Sequence, residues 1–385
     1  MSYRPRLLTP GPVETSSAVQ AALAAPQLHH RSGEAREVFL RARRLLHQAY
    51  CLPNEGWEVL IVTASGTGAM EAALASLLPP GSPVATLSAG KFGERWTGMC
   101  RALGHEVVTG SFPWGQAIPP RAAAELLHAN PDCRALVLTH SETSTGVLHD
   151  LEGIARSARE ARPDLLLVVD AVTSLAVSEL RPHEWGLDAV VAGSQKGAGS
   201  PPGLGFAALS PRALATMAGR PAGPRPYYLD LSRELKAQAR GESAFTPAIN
   251  LVAALAAGLE PVVARGMEQR WRELRLMSDA VAAAGLAIAC RLYPERPSPA
   301  CVTLVPPAPL SGREVVRALA ARGARVQGGQ DDIKDLIVRI SLMGHFDRYD
   351  ALAVAGLLED ALRDLGAAVP AGSGVGAAWR VLAGG

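Results

Sequence analysis

Leu165-Leu166-Leu167-Val168-Val169-Asp170 and, further along, Val190-Val191-Ala192-Gly193-Ser194-Gln195-Lys196 decide how this sequence is read. Each is a short apolar run that ends on a chemically capable side chain. Runs of about four to eight apolar residues, bounded by turn residues, mark strands buried on both faces. The same pattern recurs at Val59 to Ala64, Val84 to Ser88, Glu106 to Val108, Ala135 to Thr139 and Gly205 to Leu209, with Ala- and Arg-rich helical stretches between. Strands alternating with helices predict an α/β fold with a mostly parallel central sheet covered on both sides. Ligands of such sheets collect at the carboxyl ends of the strands, where Asp170 and Lys196 stand.

Beyond the sheet, a Pro- and Tyr-rich link (Pro221 to Tyr228) leads to Thr246-Pro247. An Ala/Leu periodicity then runs from Ile249 to about Ala284, with breaks expected near Pro261 or Gly266. From Ser298 to Leu365 the pattern reads strand (Cys301 to Val305), helix (Gly312 to Arg322), strand (Leu336 to Ser341) and helix (Arg348 to Leu362). These patterns predict an N-terminal arm over residues 1–20, a large domain over 21–250 and a small α+β domain over 251–365. A Gly- and Ala-rich loose tail is expected over 366–385.

Composition narrows the function classes. The chain has 385 residues, 48% apolar and 19% charged, with a formal net charge of +2. Its arginines are scattered, so no electrostatic footprint for nucleic acid or a lipid surface is expected. Cys51, Cys100, Cys133, Cys290 and Cys301 are odd in number and far apart, without a C-x-x-C pair, so neither a disulfide framework nor a zinc site is indicated. The opening Met1-Ser2-Tyr3-Arg4-Pro5 lacks an apolar leader, and no run of membrane-spanning length follows. A cytoplasmic protein without a membrane partner is the expectation.

Ser65-Gly66-Thr67 lies between an expected strand and an expected helix starting near Gly68. Free backbone amides at a helix start, with two hydroxyls, make a phosphate cradle, although serine and threonine are also ordinary helix caps. Gly66-Thr67-Gly68 imitates the start of a dinucleotide-binding G-x-G-x-x-G, but the third glycine position is Glu71, and no acidic residue closes the next strand. Asp170 ends an otherwise apolar run, so it is either paired by a ligand or a structural cap of the next turn. Lys196 sits among Gly193, Ser194, Gly197 and Gly199, which suits close approach of backbone to a ligand; the alternative is a solvated surface lysine. Together the lysine and the carboxylate are the pair that pyridoxal phosphate chemistry uses, one for a Schiff base and one for the ring nitrogen.

Eight motifs then occur in order: Leu7-Leu8-Thr9-Pro10-Gly11-Pro12, His29-His30-Arg31-Ser32, Ser65-Gly66-Thr67-Gly68-Ala69-Met70-Glu71, Gly90-Lys91-Phe92-Gly93-Glu94-Arg95, His140-Ser141-Glu142-Thr143-Ser144-Thr145-Gly146, Asp170-Ala171-Val172-Thr173-Ser174, Gly193-Ser194-Gln195-Lys196 and Arg339-Ile340-Ser341-Leu342-Met343-Gly344. From about residue 7 to residue 365 the chain resembles class V aminotransferases of the alanine–glyoxylate and serine–pyruvate type, most of all bacterial members labelled as aspartate aminotransferases. The resemblance implies a type I pyridoxal phosphate fold, a homodimer with shared active sites, and a Schiff base at Lys196. Amino groups would pass from a small amino acid (alanine, serine or aspartate class) to a 2-oxo acid such as glyoxylate or pyruvate. Ser65, Gly66 and Thr67 would hold the phosphate, with Gln195 nearby and Thr246 reaching in from the neighbouring subunit. Phe92 would stack on the ring, Val172 would pack beneath it and Thr143 would bond its oxygen or the substrate. Asp170 would hold the ring nitrogen. Arg339 would clamp the substrate carboxylate by a two-pronged guanidinium contact, with Gly11 and Arg31 also on the substrate side.

Two related activities compete. Phosphoserine aminotransferases share a His-Arg-Ser run, but here Gly197 follows the lysine where that group has Asn. Cysteine desulfurases, which are lyases, place His before the lysine and a catalytic Cys in a loop; Gln195 and the strand residue Cys301 depart from both features. A non-catalytic cofactor-binding homologue would have no use for a reactive amine.

Overall fold

The computed structural model describes residues 4–221 and 223–385, so Met1-Ser2-Tyr3 of the expected arm lie outside the described residues. Its strands are β1 (Arg6–Leu7), β2 (Glu58–Val62), β3 (Pro83–Ser88), β4 (Glu106–Ser111), β5 (Ala135–Thr139), β6 (Ser141–Glu142), β7 (Val147–Leu148), β8 (Leu166–Asp170), β9 (Ala189–Gly193), β10 (Gly205–Leu209), β11 (Arg291–Leu292), β12 (Val302–Val305), β13 (Ala324–Arg325), β14 (Gln327–Gly328) and β15 (Val338–Ile340).

Seven of them form the main sheet in the order β2-β10-β9-β8-β5-β3-β4. The pairs β3–β4, β3–β5, β5–β8 and β8–β9 are parallel, and β10 alone runs against its neighbours β2 and β9. Side chains of alternating residues enter two different cores. Ile61, Leu138, Val169, Val190 and Phe206 face one helical layer, whereas Leu60, Val62, Val137, Val168 and Val191 face the other. A sheet with no wet face explains why its strands read as unbroken apolar runs.

Because β10 opposes both β2 and β9, Gly205 pairs with Val62 on one side and Gly193 on the other. The carboxyl ends of β2 and β9 therefore flank the start of β10. Asp170 pairs with Val191 in the adjacent parallel strand, which brings its carboxylate to the same edge as the turn after β9.

A second core surrounds the four-stranded sheet β11-β12-β15-β14. The chain enters it through two helices, Ile249–Arg265 and Met267–Ala287, bent by 94° at Gly266. Gly266 has φ +86°, a conformation that suits glycine. Pro261 is carried inside the first helix, so of the two expected breaks only Gly266 is realised. Ile249, Val252, Leu255 and Leu259 still pack in the large core, and along this helix pair the first residue of the second core is Leu274. The change of domain therefore falls later than the expected residue 250. No single helix among the described residues is long and apolar enough to cross a membrane.

The two chain ends depart from the sequence reading. Leu8 and Val13 of the N-terminal arm belong to the second core, and β1 pairs in parallel with β13. Residues 366–385 are not a loose tail: Ser373–Gly384 is a helix whose Ala378 and Leu382 are buried in the same core. The Glu359 carboxylate accepts the amides of Gly372 and Gly374, the latter at 2.8 Å, and so ties down the start of that helix. Buried Gly374, Ala377, Ala378 and Leu382 recur at helical spacing, and their small side chains, which read as looseness, are what permit close helix packing.

Candidate active site

At the carboxyl edge of the main sheet lies a cavity of about 100 Å³, lined by side chains that include Ser65, Thr67, Phe92, Asp170 and Lys196. A larger open groove of about 500 Å³ between His149, Trp185 and Arg272 holds no lysine. The smaller cavity is the candidate site because the lysine and the strand-end carboxylate meet there.

Asp170 is only 4% exposed, and its Oδ1 accepts the Val172 amide at 2.8 Å. Burial raises its pKa to about 6, against the lowering effects of that amide and of the Lys196 and Arg95 charges. Burial lowers Lys196 to about 8; Asp170 opposes this shift and Arg339 adds to it. The Lys196 ammonium donates to the carbonyl of Pro10. Gly11, at φ +113°, passes so close that a Cβ there would sit 2.5 Å from Lys196 Nζ. That contact explains a glycine in the Thr9-Pro10-Gly11 turn.

The end of β2 turns into the helix Gly66–Leu77 with Ser65 as its N-cap. Ser65 Oγ accepts the Gly68 amide at 3.2 Å, so the capping reading holds. Beside it, the amides of Gly66 and Thr67 find no partner among the described residues, as a cradle would require. Two close approaches shape the cradle. A Cβ on Gly66 would lie 2.8 Å from Val172 Cγ2, and one on Gly193 would lie 3.3 Å from the Gly66 nitrogen. Gln195 Oε1 is buried without a partner.

Phe92 occupies the first turn of the helix Lys91–Ala102, whose anchor was not among the expected site residues. Glu142 does. Its Oε2 accepts the amides of Phe92 and Gly93 at 3.0 Å each, and its Oε1 accepts the Ser144 amide at 3.2 Å. Glu142 is fully buried, and burial raises its pKa, while the Ser144 hydroxyl and these amides hold it down. A Cβ on Gly90 would lie 2.5 Å from the Glu142 carboxyl carbon, so the carboxylate fits only against a glycine. The available signal was a single acid in a run of small polar residues.

Arg339 projects from β15, between β12 and β14, and is 4% exposed. Its Nε donates to the Gly328 carbonyl at 2.8 Å and its Nη1 to the Thr143 carbonyl at 2.7 Å. It has no carboxylate partner among the described residues, and burial lowers its pKa. Thr143 lines the cavity, so Arg339 stands directly behind that wall.

The cavity thus gathers Ser65, Gly66, Thr67, Phe92, Thr143, Asp170, Val172, Gln195 and Lys196, together with Met70, Arg95, Ser141 and Thr173, which sequence reasoning had assigned no role. Arg31 and Thr246 are exposed and do not line it within one chain.

Comparison with known proteins identifies the family. The family model for "Aminotransferase class-V" matches residues 14–349. A Synechococcus protein named soluble hydrogenase, small subunit, is 38% identical over 99% of both chains. The L-aspartate–glyoxylate aminotransferase of Paracoccus denitrificans is 31% identical over 98% of this chain and 96% of its own. Among solved structures, an aspartate aminotransferase of subgroup IV from Thermus thermophilus is 46% identical, with a TM-score of 0.87 over 93% of this chain and 99% of that one. With the family model spanning most of its length and relatives matching end to end, this chain belongs to the class V aminotransferases.

Proposed function

We propose that this pyridoxal phosphate-dependent transaminase works from the cavity around Lys196, moving the amino group of a small amino acid to a 2-oxo acid such as glyoxylate or pyruvate. The observation that carries the reading is the meeting of Lys196 and Asp170 in one cavity beside a helix start with free amides. The residues present fit the cofactor: unpaired amides at Gly66 and Thr67, an unpartnered Gln195 oxygen and glycines whose missing Cβ atoms leave room. When bound, pyridoxal phosphate supplies a carbonyl carbon for amine exchange and a ring that accepts electrons from the substrate α-carbon.

The chain's own residues do the rest. Lys196 is the amine that would hold the cofactor's carbonyl carbon covalently, and the same side chain would carry the proton taken from the substrate α-carbon. Asp170 is the buried carboxylate that would hold the ring nitrogen and keep it protonated. Glu142 fixes the turn that would present Phe92 to the ring face, and Arg339, behind the wall at Thr143, would receive the substrate carboxylate. Aspartate is the amino donor suggested by the names of the Paracoccus and Thermus relatives.

A homodimer in the cytoplasm completes this reading. Exposed Thr246 follows Phe245, which stacks with exposed Tyr227 and Tyr228 at 5.7 and 5.0 Å, an aromatic patch suited to a subunit contact. Thr246 and Arg31 would then serve the partner's site. The hydrogenase name of the Synechococcus relative denotes redox chemistry that no residue grouping favours here; among the described residues no three His, Cys, Asp or Glu side chains are gathered to hold a metal.

The test is direct. Purified protein should be yellow, borohydride should bleach it while fixing the cofactor covalently to Lys196, and, in unreduced protein, a single turnover with aspartate, alanine or serine should remove the colour, phosphoserine being the control. Protein that takes up no pyridoxal phosphate ends the proposal, and bleaching by phosphoserine alone moves it to that class.

A pH dependence also follows. Only the unprotonated Lys196 amine is nucleophilic, so its capture of pyridoxal phosphate should quicken as pH rises through about 8 and level off above. Asp170→Asn removes a charge that favours the ammonium form, so the midpoint should move to lower pH. Stopped-flow absorbance gives both midpoints, and an upward move in the variant would contradict the assigned pairing.

A further inference from the structure

Of the side chains lining the cavity, only Lys196 and Arg95 carry positive charge. Lys196 is committed to the covalent bond, so Arg95 is the cation left over. Charged neighbours on the same helix are already engaged: Lys91 pairs with Asp331 at 2.6 Å, and Glu94 accepts the Trp114 indole N–H at 3.1 Å. Arg95 has no carboxylate within salt-bridge distance among the described residues. Its Nη1 donates instead to Thr67 Oγ1 at 3.1 Å, and its guanidinium lies over the Phe92 ring, 4.8 Å from the centroid. It therefore joins the first turn of one helix, where the amides are free, to the aromatic side chain of another.

A phosphate group bears a charge of roughly −1.5 to −2 near neutral pH. The cradle at Ser65, Gly66 and Thr67 offers it only neutral donors, and Asp170 in the same cavity is an anion. A dianion held in a partly buried site needs a fixed cation nearby. Arg95, an exposed residue, reaches the cradle through its hydrogen bond to Thr67, and its charge also contributes to lowering the pKa values of Asp170 and Lys196 in the adjoining cavity.

We infer that Arg95 is a phosphate-binding residue, supplying through the Thr67 corner the charge that retains the phosphate end of the cofactor. This rests on the pyridoxal phosphate reading above and adds to it a residue and a role. The contact with Phe92 suggests the alternative, that Arg95 only stiffens the aromatic ring. The two differ in what they require of the ligand, because a ring clamp acts on any pyridoxal whereas a phosphate partner acts only on the phosphorylated form.

Apo protein and its Arg95→Gln variant should be titrated, by absorbance and Phe/Trp fluorescence quenching, with pyridoxal phosphate and with pyridoxal lacking the phosphate. Loss of one charged hydrogen-bond partner is expected to raise the Kd for pyridoxal phosphate on the order of tenfold or more. The Kd for pyridoxal should change less than about twofold. Arg95→Lys should recover part of the difference, because the charge remains. Equal weakening toward both ligands makes Arg95 a ring clamp and overturns the inference, as does unchanged pyridoxal phosphate affinity in Arg95→Gln. If wild-type protein binds neither ligand, the cofactor reading itself fails, a result distinct from failure of the Arg95 role.

Discussion

Lys196→Ala is expected to lower the rate of transamination by at least about 10⁴-fold while leaving the protein folded. Two functions disappear with one side chain, the covalent tether and the carrier of the α-proton. The amine sits where burial lowers its pKa to about 8, so at mildly alkaline pH a large share is unprotonated and reactive; an ordinary lysine would be almost wholly ammonium. Alanine replaces a partly buried cation whose polar contact is to the Pro10 carbonyl, so the fold loses little. The measurement is single-turnover bleaching with aspartate alongside far-UV circular dichroism, with added methylamine as a small-amine substitute. Near-normal turnover in the variant would remove Lys196 from the mechanism. Partial rescue by methylamine would support an amine acting at that position.

Arg339→Gln carries the second largest expected effect, a fall of about 10²- to 10³-fold in kcat/KM for amino acid substrates, mostly through KM. The argument is one of charge balance. Arg339 is buried, lacks a carboxylate partner among the described residues, and is held by the carbonyls of Gly328 and Thr143. A buried cation satisfied only by neutral acceptors is left with an unbalanced charge, which an incoming carboxylate would neutralise. Arg339→Lys should recover little, because an ammonium cannot present two parallel N–H groups in a fixed plane. The check is a comparison of aspartate or alanine with a simple amine that lacks the carboxylate. The loss should be confined to the former, and equal losses for both would mean that Arg339 supports the wall at Thr143 and does not bind substrate.

The fold was legible chiefly because the main sheet is buried on both faces. β5, β8 and β9 could then appear as continuous apolar runs, β5 at its observed bounds and the other two off at a single end. Helices with strong start signals were equally readable: Ser311 and Glu314 form a reciprocal cap just ahead of the expected Gly312 start. Legibility failed where the stabilising partner is distant in sequence. The C-terminal helix depends on Glu359 and on close packing of small residues, so its composition resembled that of a loose tail. The short strand β1 has meaning only through β13, far along the chain.

The candidate site shows the same division. Asp170, Lys196 and Ser65 announce themselves because each closes or follows a strand, and strand ends converge in a sheet of this kind. Glu142 did not, since its role is to hold amides some fifty positions earlier, at Phe92 and Gly93. Arg95 was visible within a quoted motif, yet only its contacts with Thr67 and Phe92 distinguish it from the many surface arginines.

One consequence follows from the path of the N-terminal segment. Leu8 is anchored in the smaller core, and two residues later the Pro10 carbonyl receives the Lys196 ammonium, with Gly11 pressed against the same side chain. Reactive amine and smaller lobe are thereby joined by a tether too short to absorb slack. A tilt of that lobe would change the surroundings of the free amine, so its proton affinity in the cofactor-free enzyme would serve as a gauge of interlobe posture.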